Sequence, residues 1–405
     1  MEIILKRDII DEINKYLDTD DIIVLHGARQ VGKTSILYYL ESLLKKQGRI
    51  THFIDLEDSR FVKILDAGAE EFIKHLREEG ITTDNRKKKA YVFIDEIQYL
   101  ANPSSFLKLV ADHYKAIKLI VSGSSSFAIK TKFKDSLAGR TVNFEIFNLS
   151  FKEFLSFKQY AFESGRAYTQ KKIDEMKSLF KEYVLCGGYP KIVLTPEVEK
   201  KEKYLQQIID TYVKKDIRDL ANIKDITKFN KLLETLAAQS GQLLNIVELS
   251  NTTRIAKQTI EKYLFILENT YIIKLARPFS RNIRSELFKL PKIYFYDTGL
   301  MQMLWLKGLQ KEIIGSVFET AIFIELIKKY TTDGVFYWRT KDKREIDFIL
   351  KTKDTLLPIE VKLNFGQFNP LTVEYFNKHY GLNRYKVVSL YGKPKNKFYI
   401  FPWDV

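Results

Sequence analysis

The residues best suited to chemistry lie near the amino terminus, in the segment Gly27–Thr34. This segment fits the pattern G-x-x-x-x-G-K-[ST] in full, between the apolar run IIVLH and an amphipathic stretch. Glycines let backbone N–H groups curl around phosphates, and the start of a helix adds positive potential. We therefore expect Lys33 to reach the β- and γ-phosphates of a nucleotide and Thr34 to ligate Mg²⁺. The residues expected to contact the nucleotide are Gly27, Ala28, Arg29, Gln30, Val31, Gly32, Lys33, Thr34 and Ser35.

A pair of acidic residues ends the apolar stretch Tyr91–Ile94. Asp95 would hold the magnesium, and Glu96 would polarise the attacking water as a general base. Acids at a strand end are common, so this pair is informative because a phosphate-binding loop precedes it. The two segments together predict a site for ATP and Mg²⁺ whose chemistry is hydrolysis.

Two further positions are candidates for contact with the γ-phosphate. A hydroxyl of the run Ser122–Ser126, with Ser124 as our choice, could sense that phosphate, although an ordinary helix N-cap explains such serines equally well. Arg140 could supply charge to the γ-phosphate of a neighbouring subunit, as an arginine finger does. The alternative is an ordinary surface arginine.

A second group of chemical residues lies near the carboxyl terminus. Glu360 and Lys362 are two apart in an apolar stretch, so they share one face of a strand, and Asp347 lies on the preceding strand of a predicted hairpin. Such carboxylates suit Mg²⁺ or Mn²⁺, with Glu319 completing the metal shell and Lys362 orienting the nucleophile in phosphodiester cleavage. The alternatives are an exposed charged strand face, or a real fold without catalytic activity.

The elements that must position these residues follow from hydrophobic periodicity. Strands alternate with helices over 1–150, which predicts an α/β domain with a parallel, doubly wound sheet. Helical patterns alone fill 151–235 and predict a lid packed on the nucleotide domain. Over 236–300 a helix, turn, helix and β-ribbon predict a winged helix-turn-helix. The remainder, 301–405, reads as α-β-β-β-α-β.

A basic surface is predicted on the winged helix. The chain carries a net charge of +15 with a pI near 9.3, which favours nucleic acid as a partner, although a lysine-rich coding bias would give the same excess. A protein-contact role for the winged helix stays open. The residues expected to contact bases or phosphates at the start of the second helix are Thr253, Arg254, Lys257 and Gln258. The presumed wing carries Arg277, Arg281 and Arg284, and the region also contains the basic residues Lys262 and Lys274.

Composition restricts the class of protein. Hydrophobic residues make up 45% of the 405 residues, enough for more than one core. No apolar run approaches the roughly 20 residues of a membrane span, and the amino terminus is not a secretory signal. Cys186 is the only cysteine, so no intrachain disulfide can form and a reducing cytoplasm fits best.

Taken together, these motifs resemble the AAA+-superfamily ATPases of archaea and bacteria, whose relatives include signalling ATPases with winged helices. Gly187–Pro190, Asp297–Gly299 and the terminal group of Glu319, Asp347, Glu360 and Lys362 match the same set. The resemblance implies ATP binding, a C-terminal winged helix and a nuclease-like domain. It also places Arg140 where such ATPases carry their finger, which implies contact between copies of the chain. The D-(x)n-(D/E)-x-K signature resembles the restriction-endonuclease-like superfamily.

Three functions are compatible with this sequence. The first is an ATP-hydrolysing switch coupled to DNA binding and metal-dependent DNA cleavage. The second is a signalling or scaffold ATPase whose nuclease-like domain only binds nucleic acid or a protein partner. The third is a DNA-translocating motor, which would form a ring-like oligomer.

Overall fold

The chain folds into two compact units, Met1–Asn148 and Leu149–Val405. The computed structural model describes all residues except 1–4, 82–88, 124–136, 138, 164–167, 217–222, 224, 281–289, 331–332 and 354. The boundary falls beside residue 150, where the sequence predicts the end of the nucleotide domain. The segments 151–235, 236–300 and 301–405, predicted as three domains, lie together in the second unit.

The first unit is built on a five-stranded sheet of order β2-β3-β4-β1-β5. All neighbouring strands are parallel, which confirms the predicted α/β sheet. The central strands β3 and β4 are buried along their whole length, because helices cover both faces of a parallel sheet. The strands are β1 (Ile22–Gly27), β2 (Ile50–Asp55), β3 (Ala90–Asp95), β4 (Ile117–Gly123) and β5 (Thr141–Ile146). The helices are α1 (Ile9–Asn14), α2 (Lys33–Lys46), α3 (Ser59–Asp66), α4 (Ala69–Glu78) and α5 (Pro103–His113).

The strand order decides which residues meet. Strand β4 lies between β1 and β3, so the carboxyl ends of these three strands are adjacent. Ligand sites of open parallel sheets form at that edge. The loop after β1, Ser122 near the end of β4 and Asp95 at the end of β3 are therefore neighbours.

The predicted lid segment is helical, as expected, and it packs on later helices of the second unit. Tyr183 donates a hydrogen bond of 2.6 Å to Glu325, and Gln302 donates one of 2.8 Å to the carbonyl of Leu185. Between residues 151 and 238 the helices are α6 (Phe151–Phe157), α7 (Gln170–Cys186), α8 (Pro190–Leu194), α9 (Val198–Ile208), a π-helix (Ile209–Asp216) and α10 (Ile226–Ala238).

The region of the predicted winged helix contains two helices and a two-stranded antiparallel sheet. Arg254, in the left-handed conformation, ends the first helix, and the second begins at Lys257. The bounds are α11 (Ile246–Thr253), α12 (Lys257–Asn269), β6 (Ile273–Ala276) and β7 (Lys292–Phe295). The order of elements is the predicted one, and the winged-helix assignment itself stays a prediction.

The remainder forms a mixed five-stranded sheet of order β12-β11-β10-β9-β8. Strands β8, β9 and β10 are antiparallel neighbours, and β11 is parallel to β10. The predicted α-β-β-β-α-β order is observed, with a short β12 added. The elements are α13 (Thr298–Leu306), α14 (Gly315–Lys329), β8 (Val335–Arg339), β9 (Glu345–Lys351), β10 (Leu356–Asn364), α15 (Leu371–Tyr380), β11 (Lys386–Tyr391) and β12 (Tyr399–Ile400). Among the described residues, no helix is both long and apolar enough to cross a membrane.

The glycine motifs of the second unit form one buried joint. Asp297 caps α13 by accepting from the N–H of Leu300 at 2.9 Å, and it also accepts from the N–H of Gly188 at 2.8 Å. Gly187 has a φ of 80°, and a Cβ there would overlap the Asp297 carboxylate. A Cβ at Gly299 would overlap the carbonyl of Cys186. The motifs Gly187–Pro190 and Asp297–Gly299 thus hold the end of α7 against the start of α13.

Candidate functional site

The loop between β1 and α2 has the backbone of a phosphate-binding loop. Gly32 adopts a left-handed conformation with a φ of 96°, and Gln30 also has a positive φ of 63°. A Cβ at Gly27 would overlap the carbonyl oxygen of Ile146 on β5, so only glycine fits where β1 ends. The first turn of α2 therefore begins directly after the loop, with its N–H groups available at that end.

Lys33 is folded back onto its own loop. Its side chain is buried, and Nζ donates hydrogen bonds of 2.7 Å to Ala28 O and 3.3 Å to Gly27 O. Burial lowers the pKa of Lys33 to about 8, although the nearby charges of Glu96 and Asp95 act in the opposite direction. The lysine thus lies at the predicted position, but its donors contact loop carbonyls that phosphate oxygens would have to replace.

Asp95 is the residue on which the site converges. The Thr34 hydroxyl donates to Asp95 Oδ2 at 2.6 Å, the Ser122 hydroxyl donates to Oδ1, and the N–H of Glu96 donates to Oδ1 at 3.1 Å. A hydroxyl and a buried carboxylate in contact beside a phosphate-binding loop fit the oxygen ligands that Mg²⁺ takes. Thr34 and Asp95 are therefore the residues that would hold the ion.

Glu96 is held in a defined position by its backbone and by one neighbour. Its φ of 55° is left-handed, and its carboxylate accepts a hydrogen bond from the Gln98 side chain. A non-glycine residue with positive φ is uncommon and often marks a functional position. The side-chain amide that orients the Glu96 carboxylate thus belongs to Gln98, two residues later in the chain.

The other predicted loop residues divide between the surface and the core. Arg29, Gln30 and Ser35 are exposed, whereas Ala28 and Val31 are buried. Arg7 also supports the loop, although it was not among the predicted site residues. Its buried guanidinium donates at 2.8 Å to Val31 O and at 2.9 Å to Phe147 O. No motif marks Arg7, and only the fold brings it under the loop.

The two γ-phosphate candidates have different outcomes. Ser124 lies outside the described residues, whereas Ser122, from the same run, contacts Asp95 directly. Arg140 immediately precedes β5, and its carbonyl accepts from the N–H of Ile22 at the start of β1. It therefore lies at the sheet edge opposite its own phosphate-binding loop, with its guanidinium paired to Asp112 at 2.8 Å.

The second predicted centre brings three of its residues together. Lys362 Nζ lies 2.9 Å from Asp347 Oδ2 and 2.8 Å from Glu360 Oε2, so the ammonium bridges the two carboxylates. Burial, and then the Asp347 charge, raise the pKa of Glu360 to about 8. The two carboxylates raise the pKa of Lys362 despite its burial. The lysine occupies the place between the carboxylates that a shared cation would take.

Glu319 has other partners than those predicted. It accepts from Tyr294 at 2.7 Å and from Lys292 at 3.3 Å, and Lys292 also pairs with Glu345 at 2.7 Å. Burial and the Asp347 charge raise the pKa of Glu319. Within the described part of the chain, no group of three or more His, Cys, Asp or Glu side chains could hold a metal ion. The metal shell of Glu319, Asp347 and Glu360 stays a prediction. The buried Lys292 was missed because no motif contains it.

The predicted basic surface is partly present. Arg254, Lys257, Gln258, Lys262 and Arg277 are exposed. Thr253 is buried and donates to Leu249 O at 2.7 Å, so the prediction that it contacts nucleic acid is wrong. Lys274 is paired with Glu268 and Asp333. Arg281 and Arg284 lie outside the described residues.

Comparison with known proteins assigns the first unit. Residues 19–155 match the family described as AAA domain. Residues 177–312 and 314–397 match two families described as domains of unknown function, DUF8612 and DUF4143. The AAA match includes the phosphate-binding loop, Asp95, Glu96 and Arg140. The first part of the chain is thus similar to AAA domains, which supports binding and hydrolysis of ATP.

Relatives that match this chain over most of its length share modest identity with it. An uncharacterized protein of Haemophilus influenzae is 28% identical over 400 residues, covering 96% of this chain and 94% of the relative. The uncharacterized protein MJ1544 of Methanocaldococcus jannaschii is 28% identical over 358 residues, covering 86% and 77%. Among solved structures, AMPPCP-bound DnaA from Aquifex aeolicus is 17% identical, covers 64% of this chain and 86% of that one, and has a TM-score of 0.29.

Proposed function

We propose that the chain is an ATP-hydrolysing switch whose second unit binds DNA. The observation that carries the first half is the contact between the Thr34 hydroxyl and Asp95, directly beside the buried Lys33. An ammonium, loop N–H groups and a hydroxyl–carboxylate pair are the groups that bind a triphosphate with its divalent ion. Thr34 and Asp95 would hold the Mg²⁺, which would supply positive charge that offsets the charge of the phosphates.

The protein's own residues supply the remaining steps. Lys33 exchanges its contacts with the Gly27 and Ala28 carbonyls for phosphate oxygens. Glu96 accepts a proton from the attacking water, and Gln98 sets the direction of that carboxylate. Ser122 keeps Asp95 oriented toward Thr34. In this proposal the loop after β1 binds the nucleotide, and Glu96, directly after β3, promotes its hydrolysis.

The test separates binding from hydrolysis. Glu96→Gln should lower kcat by about 10²–10⁴-fold while leaving the Kd for ATP nearly unchanged, because only proton acceptance is lost. Lys33→Ala should weaken the binding of labelled ATP. Glu70→Gln, which neutralises an exposed glutamate on α4, is the matched control and should retain both. Full hydrolysis by Glu96→Gln, or unchanged affinity in Lys33→Ala, would contradict the proposal.

The DNA-binding half rests on the exposed face around the start of α12. Arg254, Lys257, Gln258 and Lys262 are all exposed there, and Glu261 is the exposed acid among them. Lys257 and Lys262 are five residues apart on α12, so they project about 140° apart around the helix axis and can contact different phosphates. In the sheet that follows, Lys362 contacts both Asp347 and Glu360, and DNA binding is the function that we propose for this unit.

Salt dependence tests this half. The double variant Lys257→Ala and Lys262→Ala should weaken binding to duplex DNA and reduce the slope of log K against log[salt] by about 2, since each lost phosphate contact removes about 0.9. Lys171→Ala with Lys203→Ala removes the same charge from exposed positions on other helices and should leave the slope unchanged. If both double variants weaken DNA binding equally, the net charge of the protein alone accounts for the binding. If the wild type nicks plasmid with Mg²⁺ or Mn²⁺ and Asp347→Ala does not, the protein cleaves DNA as well as binding it.

A further inference from the structure

A cavity of about 180 Å³ lies within the second unit, away from the residues considered so far. Its apolar wall is formed by Ile209, Leu233, Met303 and Leu304, all of them buried. At about 30 Å³ for each water, the volume corresponds to roughly six water molecules or to one compact apolar group. Because polar side chains line the opposite side, the cavity suits a ligand that has both an apolar and a polar part.

The polar side of the cavity has an unsatisfied acceptor and both signs of charge. Asn230 lines the cavity, and its buried Oδ1 has no hydrogen-bond partner among the described residues. Glu234, on the same face of α10, and Lys307 also line the cavity and form an ion pair with side chains 46% and 62% exposed. A buried carbonyl oxygen without a donor is unfavourable, so this site lacks a donor that a ligand would supply.

The backbone gives an independent indication. Ile209 is the first residue of the π-helix Ile209–Asp216, which continues directly from α9. π-helical turns are rare and occur frequently at functional sites. One wall of the cavity is therefore an irregular segment, while the other two come from the regular helices α10 and α13.

We propose that this cavity binds a free α-amino acid with a medium-sized apolar side chain. The ligand ammonium donates to Asn230 Oδ1 and pairs with Glu234, its carboxylate pairs with Lys307, and its side chain fills the space beside Leu233 and Met303. Opening the Glu234–Lys307 pair costs little, because exposed ion pairs contribute little to stability. This binding site is independent of the proposed ATP and DNA sites.

Calorimetry and thermal shift of the full chain with L-leucine test the proposal. We expect a Kd between micromolar and millimolar and a rise in Tm. Glycine lacks the apolar group, N-acetyl-L-leucine lacks the ammonium and L-leucinamide lacks the carboxylate, so each should bind at least about tenfold more weakly. Absence of L-leucine binding, or equal binding of N-acetyl-L-leucine, would overturn the assignment.

Variants locate the binding. Asn230→Ala should weaken L-leucine binding about tenfold or more by removing an acceptor from a charged donor. Glu234→Gln should also weaken it. The matched control is Glu197→Gln, which removes a carboxylate from an exposed pair with Lys200 at similar exposure, 48% against 46%. Glu234 and Glu197 are exposed, so their variants keep the fold, and the Tm of Asn230→Ala without ligand shows whether that variant is folded. Unchanged affinity in Asn230→Ala and Glu234→Gln would place the amino acid elsewhere and reject the cavity.

Discussion

At the scale of single residues, the site depends on how buried charges are compensated. Asp95 accepts from Thr34, Ser122 and the N–H of Glu96, so its carboxylate is satisfied by neutral donors. Lys33 is compensated mainly by loop carbonyls, and burial lowers its pKa to about 8. The lysine is therefore ready to exchange weak acceptors for phosphate.

The lowered pKa of Lys33 predicts proton uptake on ATP binding. Phosphates favour the ammonium and raise its pKa again, so about half a proton should be taken up per ATP at pH 8, and almost none at pH 6.5. Affinity should accordingly decrease as pH rises above 8. Calorimetry in two buffers of different ionisation enthalpy measures the uptake. Adenosine, which lacks phosphates, is the control, and buffer-independent ATP enthalpies at pH 8 would disagree with this prediction.

The same residue has an opposite effect on stability. Between a folded pKa of about 8 and the ordinary value of 10.5, the unfolded chain binds more protons at position 33 than the folded chain. The free energy of unfolding contributed by Lys33 therefore rises with pH across that window. Nucleotide binding and folding thus respond to Lys33 with opposite signs above pH 8.

At the scale of elements, the joint between α7 and α13 holds these two helices of the second unit together. Asp297 uses one carboxylate to cap α13 and to bind the N–H of Gly188, and both glycine positions exclude a Cβ. The two motifs that matched the ATPase resemblance outside the nucleotide domain are thereby explained as structural. They hold two helices together.

Replacing Gly187 tests that joint. Gly187→Ala should lower the free energy of unfolding by about 2–4 kcal/mol, from the left-handed backbone and the overlap with Asp297. Gly381→Ala is the matched control, because Gly381 has a similar φ of 69° with no atom within 4 Å of a Cβ. It should cost only about 1–2 kcal/mol. Urea unfolding compares the two, and equal losses would mean that the overlap contributes nothing.

At the scale of the whole molecule, the strand order separates Arg140 from its own nucleotide site. Arg140 precedes β5 at the edge where β1 starts, whereas the phosphate-binding loop follows the end of β1. A six-residue strand spans about 17–20 Å, beyond the reach of one side chain. If Arg140 contacts a γ-phosphate, that phosphate belongs to another copy of the chain.

Mixing two inactive variants tests this arrangement. Arg140→Ala keeps its phosphate-binding loop but lacks the finger, and Lys33→Ala has the reverse defect. Each alone should hydrolyse ATP at least about 10³-fold more slowly, and the mixture should recover part of the wild-type rate through shared sites. Asp112→Asn, which loosens Arg140 without removing it, should stay active. A mixture as inactive as its components would argue against a finger from a neighbour.

The sequence by itself determined the parts whose chemistry is local. Gly27–Thr34 is a continuous segment whose glycines permit the positive φ and the close backbone approach that a phosphate-binding loop needs, so the loop was predictable. The alternation of apolar and amphipathic runs made the parallel sheet predictable as well. Alternation of apolar residues likewise gave the order of elements from 151 to 405, because burial on a helix or strand has a fixed period.

Tertiary structure alone decided what depends on distant residues coming into contact. Strand order, which no local pattern encodes, put Ser122 against Asp95 and Arg7 under the loop. Packing buried Thr253, paired Glu319 with Lys292 and set Lys362 between two carboxylates. A residue type gives the chemistry that a side chain can perform, whereas its partners, burial and pKa are set by the elements that the fold brings around it.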